Sequence, residues 1–257
     1  MRKAIFVLGD KGGTGKTTAT KVLWERLRHR QDAQAFDADG STGAFAQVYG
    51  AYDAGGTICI PQPRDGVTPV DLHAEDRDGR DQAIQRIIQS KADMVLVDMP
   101  ATSLTVLERV QADWSMFEVL QDAGFEVVTV NVVTPFKASL GNVLRTLRLA
   151  PGANPVVIFN EFFGKRSKFV LWDGRDNKPS KGKSMLAARG GIEVVLPAMP
   201  VEISSVVDAA DLSFHDAVHG GTLDSMERNY VAQWMKRVEA ALGPAAEVLG
   251  LVERTAA

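Results

Sequence analysis

The chain has 257 residues, which suits one α/β domain or at most two small ones, and its 45% hydrophobic and 24% charged residues are the balance of a globular chain. A single cysteine, Cys59, excludes a disulfide framework and any cysteine-ligated cluster within one chain, and it points to a reducing compartment, the cytoplasm. A formal net charge of −3 gives the molecule as a whole no case for nucleic-acid binding, and no uninterrupted apolar run approaches the ~20 residues of a membrane span.

Met1-Arg2-Lys3 and the short apolar run after it are too brief for a signal peptide and read as a first strand. Apolar runs predict strands at 4–8, 33–36, 94–97, 126–133, 155–159 and 193–196. Helical periodicity predicts helices at 17–30, 80–91, 103–123, 137–149, 201–209 and 224–242. Strand and helix alternate, so the expected fold is α/β, a doubly wound, mostly parallel sheet with helices on both faces, in a single domain over 1–257. Two stretches break the rhythm. Residues 52–76 are rich in Gly, Pro and Asp and read as loop with one short strand at 57–60. Residues 162–190 are longer than an ordinary connection and read as a basic insertion with a short helix near 183–189. A C-terminal helical segment covers 222–257. Its end, 240–254, has a Gly-Pro break, no aromatic and one basic residue against two acids, which predicts a helix end with a frayed tail and no membrane anchor.

The stretch that organises the chain is Gly9-Asp10-Lys11-Gly12-Gly13-Thr14-Gly15-Lys16-Thr17-Thr18. It lies between the first strand and the first helix, the setting of a phosphate-binding loop. Glycines at 12, 13 and 15 let backbone N–H groups turn toward an anion, and the helix N-terminus points partial positive charge at it. Lys16 supplies a full charge at the outer phosphates, and the Thr17 hydroxyl is placed to bind Mg²⁺. Asp10 stands where the general pattern G-x-x-x-x-G-K-[ST] has its first glycine. Acidic partners follow at two predicted strand ends, Phe36-Asp37-Ala38-Asp39 and Val95-Leu96-Val97-Asp98-Met99-Pro100. In an open α/β sheet, ligands sit at the carboxyl ends of the strands. The apolar run closing on Asp98 is the pattern of a carboxylate that holds Mg²⁺.

The form K-G-G-x-G-K-[ST]-T at Lys11–Thr18 resembles the deviant Walker A motif of the ParA/MinD family of ATPases. Asp37-x-Asp39 is similar to the family's switch I pair, and Asp98-Met99-Pro100 to its switch II start. The resemblance implies ATP and Mg²⁺ as ligands, with Gly12, Gly13, Thr14, Gly15, Lys16, Thr17 and Thr18 around the phosphates and Thr17, Asp37 and Asp98 around the metal. It gives Asp39 the attacking water. It gives Lys11 the partner's phosphates across an ATP-dependent homodimer. Asn160, at a strand end, matches an adenine-reading amide, and Pro197, Ala198 and Met199 match a turn that lines the base; an asparagine there is also an ordinary turn residue. The implied activity is slow ATP hydrolysis to ADP and phosphate, stimulated by a partner protein, in partitioning or positioning of a plasmid or other cargo. The alternative on the same fold is an ATP-dependent small-molecule synthetase resembling dethiobiotin synthetase or the amidotransferases. A third is an ATP-binding scaffold with negligible hydrolysis.

Between 165 and 189 eight basic residues face two acidic ones, a local charge of +6. Lys165, Arg166, Lys168, Lys178, Lys181 and Lys183, with Phe169 and Trp172 interleaved, form a candidate surface for non-specific DNA and for association with the nucleoid. The same composition also suits a solvated loop or a loop that binds a protein partner. His215 and His219 share a helix face at i, i+4 but have no third ligand in view, so they read as ordinary histidines near a helix end, not as a zinc site.

Overall fold

In a computed structural model, residues 2–9, 12–30, 32–40, 43–74, 77–174 and 178–252 are described. Among them seven strands form one sheet in the order β3-β2-β4-β1-β5-β6-β7, and every neighbouring pair is parallel. The strands are β1 (Arg2–Leu8), β2 (Ala33–Asp37), β3 (Val67–Pro69), β4 (Met94–Asp98), β5 (Phe125–Val133), β6 (Asn154–Asn160) and β7 (Ile192–Leu196). β1 sits at the centre and is apolar on both faces. Ile5 and Val7 enter one core, with α1 (Lys16–Leu27) and α11 (Ser225–Leu242) above them. Ala4, Phe6 and Leu8 enter the other, with α3 (Arg77–Ile88), α4 (Ser103–Trp114) and α5 (Met116–Asp122). Successive side chains on a strand point to opposite faces, so a strand covered on both sides must be a continuous apolar run. The expected doubly wound parallel sheet is the one observed.

The remaining helices are α2 (Ala44–Tyr49), α6 (Lys137–Leu149), α7 (Val170–Asp173), α8 (Lys181–Ala188), α9 (Val201–Ala209) and α10 (Phe214–His219). Four expectations need correction. First, the stretch 57–60 is no strand; it makes a single bridge, Tyr52 to Ile58. The strand of this region is β3, three residues long at the sheet edge, where Pro69 is tolerated because that edge needs no donor. Second, 103–123 is two helices. The first closes with the Ser115 N–H on the Gln111 carbonyl, and Ser115 turns the chain at φ 47° before α5 starts. The apolar period runs on across the break, so periodicity does not show it. Third, the insertion's helix is α8, which starts two residues ahead of the predicted one because the Ser180 hydroxyl caps it through the Lys183 N–H. Fourth, 243–252 does not fray. Ala245 and Leu249 are fully buried, and Arg30 donates to the Gly250 carbonyl at 3.1 Å. Among the described residues no helix is long and apolar enough to cross a membrane.

Candidate nucleotide site

The Gly-rich loop lies where the resemblance puts it, between β1 and α1, at the carboxyl end of the sheet. Gly13 and Gly15 hold φ of 76° and 86°, a region that other residues enter only with strain. At Gly15 there is also no room: a Cβ would run into the Asn160 amide. Gly15 is the N-cap of α1 and offers no side-chain acceptor, so the first-turn N–H groups stay open to an anion. Asp10 and Lys11 lie outside the described residues.

Asp98 ends β4 directly opposite Val7 of β1, buried to 3% exposure. Lys16 Nζ lies 3.2 Å from its Oδ1 and the Thr17 hydroxyl donates to Oδ2 at 2.9 Å. The Thr20 hydroxyl, one turn further along α1, lies 2.8 Å from Oδ1. Thr20 was not among the sequence candidates. Its only signal was the i, i+4 spacing from Lys16, which puts both on the face of α1 that meets β4. Asp37 ends β2, paired with Asp98 in the sheet register. Its Oδ1 accepts from the Asp39 N–H at 3.1 Å, and its Oδ2 from the Phe45 and Ala46 N–H groups at 3.0 and 2.8 Å, so it caps α2. Burial, with the Asp98 carboxylate next in weight, pushes its pKa up to about 6; the N–H groups oppose this.

Asp39 and Ala101 face the loop across a cavity of about 320 Å³ that Gly12–Thr18 floor. A second cavity of about 150 Å³ shares Gly13, Gly15 and Thr18 with it and continues to Asn160, Pro197 and Met199. Ala198 sits between those two in the chain and is not in the lining. Sequence reasoning missed Phe162, Phe163 and Trp234, which complete the wall. Trp234 comes from α11 and donates its indole N–H to the Pro197 carbonyl at 2.9 Å, fixing the turn after β7. The Asn160 amide donates to the Thr14 carbonyl at 2.8 Å and accepts from the Phe162 N–H at 3.0 Å, so it ties β6 to the loop.

The residues near the metal position fit Mg²⁺. Thr17, Asp98 and Asp37 present hard oxygens, and burial together with the nearby Asp98 carboxylate raises Asp37, a tension that a divalent cation relieves. Mg²⁺ needs few protein ligands because water and phosphate oxygens complete its shell. Among the described residues no cluster of three His, Cys, Asp or Glu is arranged for a metal. His215 and His219 stack with ring centroids 4.7 Å apart.

The basic insertion does not present the interleaved aromatics that a DNA-binding surface would use. Phe169 and Trp172 are fully buried against Phe159 and are not available for stacking on bases. Arg166 is held by Asp173 and Glu193, and Lys183 by Asp173. Lys165 pairs with Glu161 yet stays exposed, and Lys168, Lys178 and Lys181 are exposed as well.

No family model matches the chain. It is 24% identical over 220 residues to Protein MobD of Acidithiobacillus ferrooxidans, covering 85% of this chain and 88% of that one. Among solved structures, a ParA family ATPase from Chlorobium tepidum aligns over 91% of this chain and 98% of its own, at 14% identity and a TM-score of 0.48. The MinD cell division protein of Aquifex aeolicus aligns over 93% and 97%, at 17% identity and a TM-score of 0.47. The fold assignment rests on the loop, the strand order and the register of β1 with β4. On these the chain has the P-loop NTPase fold and resembles the ParA/MinD ATPases.

Proposed function

We propose that this chain is a Mg²⁺-ATP-dependent switch ATPase that dimerises face to face on ATP and acts in partitioning or positioning a plasmid or other cargo. The observation that carries the reading is the convergence of Lys16, Thr17 and Thr20 on the buried Asp98 at the end of a central strand. That cluster pre-forms a cation and phosphate site in a dry environment, where charge interactions are strong. The triphosphate would lie along Gly12–Thr18 and the base in the smaller cavity, between Phe162 and the Pro197–Met199 turn.

ATP hydrolysis is in-line attack of water on the γ-phosphorus, with ADP as leaving group and phosphate as second product. Lys16 offsets charge that develops on the phosphoryl oxygens. Asp39, facing the phosphate cavity, orients the water. Thr17, Asp98 and Asp37 would hold Mg²⁺, which would supply further charge neutralisation for the reacting phosphates. Lys11 of one protomer would reach the phosphates bound by the other, a role that rests on its motif position. Site closure then changes affinity for partners and yields no synthetic product.

Light scattering during size-exclusion chromatography tests the reading on wild type and Lys11→Ala, with and without Mg²⁺-ATP. A monomer-to-dimer shift that needs both ATP and Lys11 is the expected result. A mass unchanged by ATP removes the sandwich dimer and favours a small-molecule synthetase on this fold.

A further inference from the structure

We propose that the outer face formed by α7 and the start of α8 is a docking surface for an acidic amphipathic helix of a partner protein. The sequence places a charge of +6 at 165–189, and the fold divides it into two populations. Arg166 donates to Asp173 at 2.7 and 2.9 Å and to Glu193 at 2.9 Å. Lys183 meets Asp173 at 2.6 Å and Lys165 meets Glu161 at 3.2 Å. Arg166 and Lys183 are struts at the base of the insertion, whereas Lys165 pairs at its surface and is itself exposed. Lys168, Lys178 and Lys181 are exposed and form no ion pair among the described residues, so their charge is turned outward.

Between them, on α7, Val170 and Leu171 are 52% and 47% exposed. They stand on a rigid base. Phe169 and Trp172 alternate with them on the inner side, both fully buried, and the Trp172 indole donates to Glu193 at 2.8 Å. The Ser180 N–H donates to the Trp172 carbonyl at 3.2 Å, which lays the stretch bearing Lys178 and Lys181 alongside α7. Gly182 permits the close approach of α8: a Cβ there would lie 3.0 Å from the Trp172 ring and 3.8 Å from the Leu140 carbonyl of α6. The same packing brings in the start of α6, where Phe136 is 64% exposed.

An apolar pair flanked by exposed lysines that form no ion pair among the described residues is complementary to a helix with a leucine stripe flanked by Asp and Glu. It is a poor match to nucleic acid. The aromatics that would stack are buried, three of the eight basic residues are already in ion pairs, and an aliphatic centre has no counterpart on a phosphate backbone. Lys168, Val170, Leu171, Lys178 and Lys181 are not among the residues lining the nucleotide cavities, and occupancy of this face does not require ATP. The proposal therefore stands or falls separately from the assignment of the site.

The probe is a fluorescein-labelled synthetic helix of about 18 residues with leucines at i, i+3, i+4 and i+7 and glutamates elsewhere, read by fluorescence anisotropy without nucleotide. A lysine-for-glutamate version and a duplex DNA of random sequence are measured beside it. The acidic helix is expected to bind at least about tenfold more tightly than either, and to lose about tenfold or more on Leu171→Asp and on Lys178→Glu/Lys181→Glu. Circular dichroism verifies that these surface variants stay folded. Absence of binding by the acidic helix overturns the proposal, as does binding indifferent to Leu171→Asp. Preferential binding of the DNA, lost with the lysines alone, also overturns it and makes the face a nucleic-acid surface.

Discussion

The Thr20 hydroxyl of α1 lies 2.8 Å from Oδ1 of Asp98 at the end of β4. Both groups are buried, and Lys16 approaches the same oxygen, so the helix that follows the Gly-rich loop is fastened to the strand that ends in Asp98. Thr20→Val removes the donor and keeps the shape. It is expected to destabilise the protein by about 1–2 kcal/mol, because a buried charged acceptor loses a partner. Urea denaturation measures this; an unchanged midpoint would mean that Lys16 and Thr17 satisfy Asp98 unaided.

Burial, and next the Asp98 carboxylate, push the pKa of Asp37 up to about 6, above the ordinary carboxylate range, so the folded state holds its proton where the unfolded chain has lost it. Its contribution to stability is therefore full below about pH 4 and is lost as the pH rises to about 6, by roughly 3 kcal/mol at most. The stability of wild type minus that of Asp37→Asn, followed from pH 4 to 7, should fall across that window. A flat difference would show that the α2 N–H groups cancel the effect of burial, and a rising one that they outweigh it. If Asp37 helps hold Mg²⁺, Mg²⁺-dependent nucleotide affinity should also weaken as the pH drops below about 6, because the proton competes for the carboxylate.

Asn160 braces the loop through the Thr14 carbonyl, and its amide fills the space beside Gly15. Asn160→Ala leaves that carbonyl and the Phe162 N–H without their partner and should cost about 1–2 kcal/mol of stability together with nucleotide affinity. Gly15→Ala is expected to be worse for binding, since it combines a φ of 86° with a clash on the same amide. Titration with a fluorescent ATP analogue ranks the two; equal affinities for all three proteins would detach Asn160 from the site.

Lys16→Ala should remove ATP binding, whereas Asp39→Ala should retain it, stop phosphate release and leave the dimer assembled. Steady-state phosphate release beside nucleotide titration separates the two effects. Wild-type turnover in Asp39→Ala would take that residue out of the mechanism.

The loop, the central strands and the carboxylates at their ends were legible in the sequence, because each is a local pattern. Alternation across β1 puts Ile5 and Val7 in one core and Phe6 in the other, so a strand buried on both faces reads as an unbroken apolar run. Likewise a glycine needed at positive φ, as at Gly13 and Gly15, is local to its own dihedral angle. Other features depend on partners distant in sequence. Thr20 matters only because β4 passes beside it, and Trp234 matters only because α11 returns over the turn after β7. Composition marked 165–189 as a basic loop, yet Glu193 on β7 and the buried Phe159 on β6 decide which cations are struts and which face solvent. Val67–Pro69 is a strand only because β2 offers it an edge. Local dihedral preference and hydrophobic period are written along the chain. Pairing of charges, burial of aromatics and the choice of edge are properties of the surfaces that meet, and only the tertiary structure brings those surfaces together.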